Sequence, residues 1–600
     1  MLRHLLSICF LLALNIVWAQ NASHWNPRTG TAGITQNKSV SRSGFPTNYK
    51  LYDLDVISFR NSLMSVSGWK TKKSIQVVLP NASGELENFE LSEASNFDAA
   101  LQARFPQIRS FSGKSLKDPA SVIRVSIDAE GMQSMVMRAN GDHEYIEPFS
   151  SDKKVYAAFK KQRSAGQLPW ACSTADQAMM SGINNRVMAV AAAGTSGSIM
   201  RTLRLAQSCN GEYANYFGAT SSADVAKVLA AYNATLTRCN GVYEKDLALH
   251  LNLIDQTTNV IYYTPSTDPY TTMSSWNSQL QSALNTNVGA ANYDIGHMFG
   301  ASGGGGNAGC IGCVCNDTNK GSGITSPADG IPQGDNFDID YVVHEVGHQL
   351  GANHTFSMSN EGTGVNKEVG SGITIMGYAG ITSQDVARHS IDIFHQASIN
   401  QILTNLATKT CPVSTDISAT NNPPVVAPGV NYTIPISTPF VLTGSATGEN
   451  SETLTYCWEQ NDNASSGQTG TSSVASATKA SGPNWISFLP TASPTRYFPK
   501  LATILSGALI SGPLTGGDAG ANTEALSSVA RTLKFRLTVR DNSTYSSTAP
   551  VKVGQTQFTD MTVTVSTASG PFNVTAPNTE VSWVWWSSIW GKVLGSGVIP

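Results

Sequence analysis

Three histidines, one glutamate and one glycine lie close together in this chain, at spacings that suit a metal ion and a base. On an α-helix, residues i and i+4 share one face, so His344 and His348 can turn their imidazoles toward one ion. Glu345 then lies beside the metal without binding it. Gly351 lets the chain leave the helix through a left-handed turn, so His354 can return as a third ligand. Three histidines leave the fourth tetrahedral position of zinc to water, which is typical of catalytic sites.

The simpler alternative is a helix that only buries satisfied imidazoles, and a bare His-Glu-x-x-His motif leaves that alternative open. The longer pattern from 344 to 354, His-Glu-x-x-His-x-x-Gly-x-x-His, weakens it. This pattern resembles the metzincin clan of zinc endopeptidases. The resemblance implies that His344, His348 and His354 bind one catalytic Zn²⁺ and that Glu345 is the general base.

A second part of the site follows at residues 374–378, Thr-Ile-Met-Gly-Tyr. It resembles the Met-turn of metzincins, which implies that Met376 lies beneath the three histidines. Ordinary core filling is the alternative for a methionine, but a position 22 residues after the third histidine suits the family. Tyr378 matches a tyrosine that some metzincin families use as a zinc ligand or as a transition-state hydrogen-bond donor. A phenol near a developing oxyanion is sensible chemistry.

Two positions depart from the adamalysin enzymes, which usually carry aspartate directly after the third histidine and proline at the position of Tyr378. Here Thr355 follows His354. The chain is therefore similar to a reprolysin-like, adamalysin-related branch of bacterial type. The substrate preference of the known enzymes does not transfer.

The helix that carries the first two histidines is predicted to begin after Asp335 and Asn336, whose polar side chains can cap it. Acidic residues in the first turns favour the positive end of the helix dipole. One apolar stripe at helical spacing is expected to anchor the helix in the core while the histidines face a cleft. The stripe consists of Ile339, Val343, Val346 and Leu350.

The domain around this helix is predicted to span 200–412 with an α/β fold, because strand and helix patterns alternate along it. A mixed, mainly parallel sheet is expected. The resemblance implies that Tyr293–Phe299 supplies the sheet edge that borders the cleft, with His297 lining it. The glycine-rich run Gly303–Gly309 is predicted to be a mobile loop. The predicted strands lie in 201–206, 242–254 and 293–299, and the predicted helices lie in 225–236, 273–284 and 394–406.

Cysteines indicate an oxidising compartment. Of nine in the chain, Cys9 lies in the predicted signal peptide. An even number in one domain predicts disulfides rather than a metal knuckle in an exported protein. By analogy with reprolysin-like enzymes, Cys315–Cys411 is the preferred long bridge. The cysteines of this domain are Cys209, Cys239, Cys310, Cys313, Cys315 and Cys411.

Upstream of this domain, residues 1–19 read as a secretory signal peptide, and strand patterns predict a β-rich region within residues 20–187. Residues 105–113 and 122–137 resemble the pro-domain of reprolysin-like enzymes, which implies that residues 20–187 are a pro-domain. Pro-domains of this clan often hold the enzyme inactive by presenting a cysteine thiolate to the zinc. Cys172 is the cysteine available for such a switch, and zinc accepts thiolate readily. A disulfide with Cys457 and an inert buried thiol are the alternatives. Residues 188–199 are small and uncharged, which predicts a linker and processing region.

Downstream, residues 421–568 contain short strand patterns separated by turn residues, which predict an immunoglobulin-like or fibronectin-like β-sandwich. Residues 569–600 read as the truncated start of a further β module. No catalytic constellation is visible in this part of the sequence. A spacing or binding role is therefore expected for it.

Composition fits this multidomain interpretation. The chain has 600 residues, a length that is typical of about four domains. Charged residues make up 14% and the formal net charge is -3, so composition indicates neither nucleic acid nor an acidic membrane surface as a partner. The apolar run in the signal peptide is too short for a transmembrane span.

The sequence therefore predicts a secreted zinc metalloendopeptidase that is made as a zymogen and acts on proteins or peptides. A secreted adhesin with a degenerate protease domain is the alternative from another class. A different hydrolase with the same zinc chemistry is a second alternative, against which the Met-turn speaks. The sequence does not decide whether structural Ca²⁺ is bound, or the oligomeric state.

Overall fold

The computed structural model describes residues 24–68, 73–161, 168, 170–175, 195–449, 453–517, 520–568 and 570. The predicted signal peptide, residues 188–194 of the predicted linker and residues 571–600 lie outside this part of the chain. None of the helices in the described residues is long and apolar enough to cross a membrane.

The N-terminal region is β-rich, as its alternating sequence patterns predict. Nine antiparallel strands form one sheet in the order β1-β2-β9-β8-β7-β6-β5-β4-β3. Strand β6, next to the central strand β7, is buried on both faces. One face packs in the core of this region, and the other lies against the long helix of the next region. The strands are Trp25–Arg28 (β1), Lys50–Leu54 (β2), Ile75–Pro80 (β3), Leu86–Glu93 (β4), Arg109–Ser115 (β5), Val122–Asp128 (β6), Gly131–Met137 (β7), Glu144–Pro148 (β8) and Val155–Lys160 (β9). Helices span Val56–Met64 (α1) and Ala99–Arg104 (α2), and a 3₁₀-helix spans Lys38–Ser41.

The middle region has the predicted α/β fold. Its sheet runs β11-β10-β12-β14-β13, and the first four of these strands are mutually parallel. β13 is antiparallel to β14, and β15 pairs antiparallel with β10. The strands are Ile199–Cys209 (β10), Leu249–Leu253 (β11), Ile295–Phe299 (β12), Gly305–Asn307 (β13), Gly323–Ser326 (β14) and Val413–Asp416 (β15). The helices are Gly211–Tyr216 (α3), Val225–Leu247 (α4), Met273–Asn287 (α5), His344–Leu350 (α6) and Gln396–Ala407 (α7), with 3₁₀-helices at Ser222–Asp224, Asp255–Val260 and Ala290–Asn292.

Two predictions about the edge of this sheet were wrong. Strand β12, which falls within the predicted edge segment 293–299, lies between β10 and β14. The edge is instead β13, which lies within the glycine run that was predicted to be a mobile loop. Glycine disfavours strands, so composition indicates a loop. Pairing with β14 overrides this local preference.

The start of the active-site helix also differs from the prediction. Residues Asn336–Val343 are wound as a π-helix that runs directly into α6. Asp335 makes no side-chain cap. Its carboxylate binds Arg42 of the N-terminal region instead, at 2.9 Å. A partner from a distant part of the chain therefore replaces the predicted local cap.

The C-terminal region is also β-rich. A four-stranded sheet runs β17-β25-β24-β20, with β17 and β25 parallel, and three further two-stranded sheets surround it. Its immunoglobulin-like topology stays a prediction. The strands are Val425–Ala427 (β16), Tyr432–Pro435 (β17), Phe440–Thr443 (β18), Ser445–Thr447 (β19), Thr455–Gln460 (β20), Thr495–Phe498 (β21), Ile510–Ser511 (β22), Glu524–Ala525 (β23), Arg531–Arg540 (β24) and Thr556–Ser566 (β25). One helix spans Leu501–Leu505 (α8) and one 3₁₀-helix spans Gly470–Ser473.

Candidate active site

Helix α6 ends where the predicted turn requires it. Gly351 has φ of +127°, a conformation that side-chain-bearing residues rarely adopt. The last helical carbonyls are satisfied from outside the helix, as buried backbone groups must be. Gly312 N donates to His348 O at 2.9 Å, and Asn405 Nδ2 donates to Leu350 O at 2.7 Å. This end of the helix is therefore held firmly.

The three predicted ligands converge on one point. His348 Nε2 lies 3.2 Å from His344 Nε2 and 3.1 Å from His354 Nε2. The Nδ1 atoms of His344 and His348 each lie 2.7 Å from a backbone carbonyl, those of Ile375 and Ala352. Because a carbonyl only accepts, each Nδ1 carries the proton and each Nε2 offers a lone pair. Such second contacts fix the tautomer and orientation of metal-binding histidines.

Cys172 completes this group. Its Sγ lies 3.6 Å from His348 Nε2, and the sulfur and the three imidazoles place their ligand atoms within 4.8 Å of one another. In a tetrahedral zinc site with bonds of about 2.0 Å to nitrogen and about 2.3 Å to sulfur, two nitrogens lie about 3.3 Å apart and a nitrogen and a sulfur about 3.5 Å apart. The three distances from His348 Nε2 match these values. The donor set therefore fits a zinc ion in both type and spacing.

Burial determines the protonation of these groups. It lowers the pKa of His344 to about 3 and that of His348 well below its usual value, so both imidazoles are neutral at physiological pH. Burial and the neighbouring Glu345 raise the pKa of the Cys172 thiol. A coordinated zinc ion opposes this effect, because it deprotonates a thiol that binds it.

Glu345, the predicted general base, is fully buried beside the histidines. Burial raises its pKa to about 8. Thr174 donates a hydrogen bond from Oγ1 to Glu345 Oε2 at 2.9 Å and accepts one from Ala308 N at 2.8 Å. The carboxylate also lies against strand β13, where a Cβ on Gly306 would come within 2.2 Å of Oε1. Only glycine fits at that position of the edge strand.

Residues 170–174 run along the cleft past the three histidines and Glu345. Ala171 O accepts a hydrogen bond from Gly306 N at 2.9 Å, and Ser173 N donates to Gly306 O at 2.8 Å. The segment thereby pairs in parallel with the edge strand β13. Trp170 stacks on Tyr341 with ring centroids 4.7 Å apart. A stretch of the N-terminal region thus lies where an extended peptide could bind.

The predicted Met-turn residues also lie close to the histidines. Met376 is fully buried, and a Cβ on Gly347 of α6 would come within 2.8 Å of its sulfur. The Tyr378 ring lies 4.7 Å from that of His354, and its hydroxyl donates to Cys172 O at 3.4 Å. The structure therefore brings all seven predicted site residues together. Their catalytic and metal-binding roles stay predictions.

Two residues near the histidines were not predicted from the sequence. Thr174 carries no motif signal, although its position two residues after Cys172 places it on the same face of an extended segment. Glu368 is a buried carboxylate near His354, and its hydrogen-bond partners lie in two different loops. His297 was correctly set apart from the ligands, because its ring nitrogens lie 2.8 Å from Gln349 Oε1 and Thr325 Oγ1.

The cysteines divide between bridges and free thiols. The preferred long bridge, Cys315–Cys411, is present. A second disulfide joins Cys310 and Cys313, as expected for an oxidising compartment. The prediction of disulfides from the even number of cysteines fails for the remaining two of this domain. Cys209, Cys239, Cys172 and Cys457 are all free. The alternative bridge from Cys172 to Cys457 is therefore wrong.

Comparison with protein families gives an independent result for the middle region. Residues 199–406 match a family model described as metallo-peptidase family M12B, reprolysin-like. The matched segment contains the three histidines, Glu345 and the Met-turn. Comparison with curated proteins and with solved structures found no match.

Proposed function

Because residues 199–406 form a reprolysin-like metallopeptidase domain, we propose that the protein is a zinc-dependent endopeptidase that hydrolyses internal peptide bonds of proteins. The observation that carries this proposal is the convergence of three imidazoles beside one buried carboxylate. His344, His348 and His354 would hold the ion, and Glu345 lies within reach of a water at the fourth position. A degenerate domain in an adhesin has no reason to retain this complete set.

A zinc ion bound here would act as a Lewis acid that polarises water and the scissile carbonyl. Glu345 would accept a proton from the attacking water and deliver it to the leaving amine. The hydroxyl of Tyr378 would donate a hydrogen bond to the oxyanion that develops on the carbonyl.

The edge strand β13 is the proposed binding surface for substrate backbone. Gly306 currently exchanges backbone hydrogen bonds with Ala171 and Ser173. An extended substrate would use the same N–H and C=O groups once that segment has left. Backbone recognition of this kind is independent of most side chains. It therefore supports cleavage of unfolded or extended protein segments.

We further propose that residues 20–187 are an inhibitory pro-domain. Cys172 would bind the zinc in place of water. The hydroxyl of Thr174 would hold the carboxylate of the proposed general base, Glu345, through a hydrogen bond. The β-rich region that precedes this segment binds the catalytic domain through buried ion pairs. Arg42 pairs with Asp335 at 2.9 Å, and Lys161 pairs with Asp340 at 3.1 Å. Both acidic residues flank or lie in the π-helix that leads to α6.

Activation would then require cleavage between the cleft segment and β10, which is the region of the predicted linker. Secretion is part of this proposal, supported by the signal-like residues 1–19 and by two disulfides. The C-terminal region packs on the catalytic domain through a shared apolar core. This core includes Val369 and Val386 on one side and Ile486 and Ala525 on the other. The proposed role of the C-terminal region is to support the catalytic domain and to act as a spacer or a binding module.

The test uses the full-length chain before and after limited proteolysis, with a fluorogenic protein substrate. Glu345→Gln keeps the shape of the side chain but removes the base, so zinc content should match the parent while cleavage is lost. Glu212→Gln, a partly exposed change in the same domain, is the matched control. Zinc removal by a chelator should abolish parent activity, and Zn²⁺ should restore it. Unchanged cleavage by Glu345→Gln would overturn the proposal.

A second measurement tests latency and the adhesin alternative together. The intact parent should cleave the substrate far more slowly than the processed form, because residues 170–174 fill the cleft. N-terminal sequencing of the processed form should place the new terminus after Thr174. A processed chain with full zinc but no peptidase activity would favour the adhesin alternative.

A further inference from the structure

The buried carboxylate of Glu368 connects two loops of the site, one of which carries the third histidine. Glu368 is fully buried and accepts four hydrogen bonds. Oε2 accepts from Thr355 Oγ1 at 2.6 Å and from Thr374 Oγ1 at 2.5 Å. Oε1 accepts from the backbone N of Ile373 at 2.9 Å and of Thr374 at 3.1 Å. An ionised carboxylate is an acceptor with about four lone-pair sites, and all of them are used here.

The two loops held by Glu368 are those that carry His354 and Met376. Thr355 follows His354 directly, and Thr374 precedes Met376 by two residues. The backbone adds to the same connection, because Thr355 N donates to Met376 O at 3.1 Å. Glu368 N in turn donates to Thr355 O at 2.9 Å. The carboxylate therefore lies at the centre of a polar cluster that joins the third histidine to the Met-turn.

His354 is placed by a loop, whereas the other two histidines lie on a helix. His344 and His348 lie on α6, and backbone carbonyls fix their second ring nitrogens at 2.7 Å. His354 lies beyond Gly351, outside the helix. Its Nδ1 lies 3.4 Å from Glu361 Oε1, a longer contact to a partly exposed side chain. Its ring stacks on Phe356 and lies against Tyr378, with centroids 4.9 and 4.7 Å away. The backbone on which Thr355 and Met376 meet sets where the loop brings that ring.

We propose that Glu368, acting through Thr355 and Thr374, is the positioning residue that holds His354 in place for metal binding. The inference rests on the proposed zinc peptidase function and assigns to this carboxylate a role that no motif of the sequence indicates. Its contacts are to hydroxyls and backbone amides rather than to the ligand atoms. It acts on the metal site through the loop that carries the third ligand.

The experiment measures zinc affinity of the full-length chain by competition with a chelator of known affinity. Thr355→Val removes one hydroxyl at nearly constant volume, and Thr355→Ser restores it. Loss of a residue that supports a metal ligand typically weakens metal binding about 10–100-fold. We expect a loss in this range for Glu368→Ala, a smaller loss in the same direction for Thr355→Val, and recovery in Thr355→Ser.

The matched control is Thr235→Val. Thr235 Oγ1 also donates to a buried carboxylate, that of Asp338, at 2.7 Å, but on helix α4 away from His354. Its zinc affinity should equal that of the parent. The absorption spectrum of the Co²⁺-substituted chain is the second readout, because it reports ligand geometry. It should change in Thr355→Val and stay unchanged in Thr235→Val, even where both lower the melting temperature.

Parent-like zinc affinity and a parent-like Co²⁺ spectrum in Thr355→Val would overturn the proposal and leave Glu368 a purely structural role. The threonine variants decide the question if Glu368→Ala does not fold. A parent chain that binds zinc but has no peptidase activity after processing would overturn the proposed function alone. A parent chain that binds no zinc would overturn both.

Discussion

Thr174→Val tests whether Glu345, the proposed general base, is blocked separately from the proposed metal site. The substitution keeps the size and branching of the side chain but removes the hydroxyl that bonds Glu345 Oε2 at 2.9 Å and Ala308 N at 2.8 Å. Thr174 is buried, so water does not replace these bonds easily. Hydrogen bonds of this kind contribute about 1–3 kcal/mol each, and relaxation recovers part of the loss.

A net loss of about 1.5–2 kcal/mol makes the bound position of the cleft segment about 10–30-fold less favourable. The activity of the uncleaved chain depends on the small fraction of molecules in which this segment has left the cleft. That activity should therefore rise by the same factor in Thr174→Val. Thr174→Ser keeps the hydroxyl and should stay close to the parent.

The assay compares initial rates of the intact chains on a fluorogenic protein substrate, with protease inhibitors that spare metalloenzymes. Ser173→Ala is the matched control, because its hydroxyl bonds Gly306 O at 2.9 Å from an exposed position. It should change the rate little. After processing, all variants should have the parent rate, since residue 174 would leave with the proposed pro-domain. The reasoning is refuted if Thr174→Val stays as inactive as the parent while Cys172→Ala becomes active.

Three stability measurements probe other parts of the molecule. Burial raises the pKa of Asp128 to about 7, so at pH 4 this carboxyl is neutral in the folded chain and about half ionised in the unfolded chain, and it ionises inside the protein as the pH rises through 7. Urea unfolding should therefore show Asp128→Asn within about 1 kcal/mol of the parent near pH 4 and more stable by up to about 4 kcal/mol at pH 8, and equal stability at pH 8 would contradict the argument. Arg540→Met leaves Asp246 buried without the cation 2.6 Å away and should cost about 3–5 kcal/mol. Arg536→Met, which breaks a pair with an exposed carboxylate, should cost less than about 1 kcal/mol, and equal melting-temperature shifts for the two arginines would argue against burial as the cause. Cys411→Ser opens a disulfide between residues 96 positions apart and should lose about 2–4 kcal/mol, which an unchanged melting temperature would rule out.

Local sequence pattern accounts for much of the middle region. The strand and helix order was predictable, because periodicity and capping act over a few residues. Helix Val225–Leu247 and helix Met273–Asn287 begin where their patterns predict. The histidine spacing on α6 and the turn at Gly351 are equally local. The departure at Thr355 was visible in the sequence, but its pairing with Glu368 was not.

By itself, then, the sequence determined which residues could bind a metal and accept a proton, because helical spacing and glycine conformation are properties of neighbouring residues. Only the tertiary structure decided what surrounds them. The edge strand at Gly305–Asn307, the pairing of Asp335 with Arg42 and the contact of Thr174 with Glu345 join residues that are distant in sequence. The four bonds of Glu368 span only 5 to 13 positions, but they form because two loops fold against each other. Such contacts depend on how sheets and loops meet in three dimensions, and no local pattern records that.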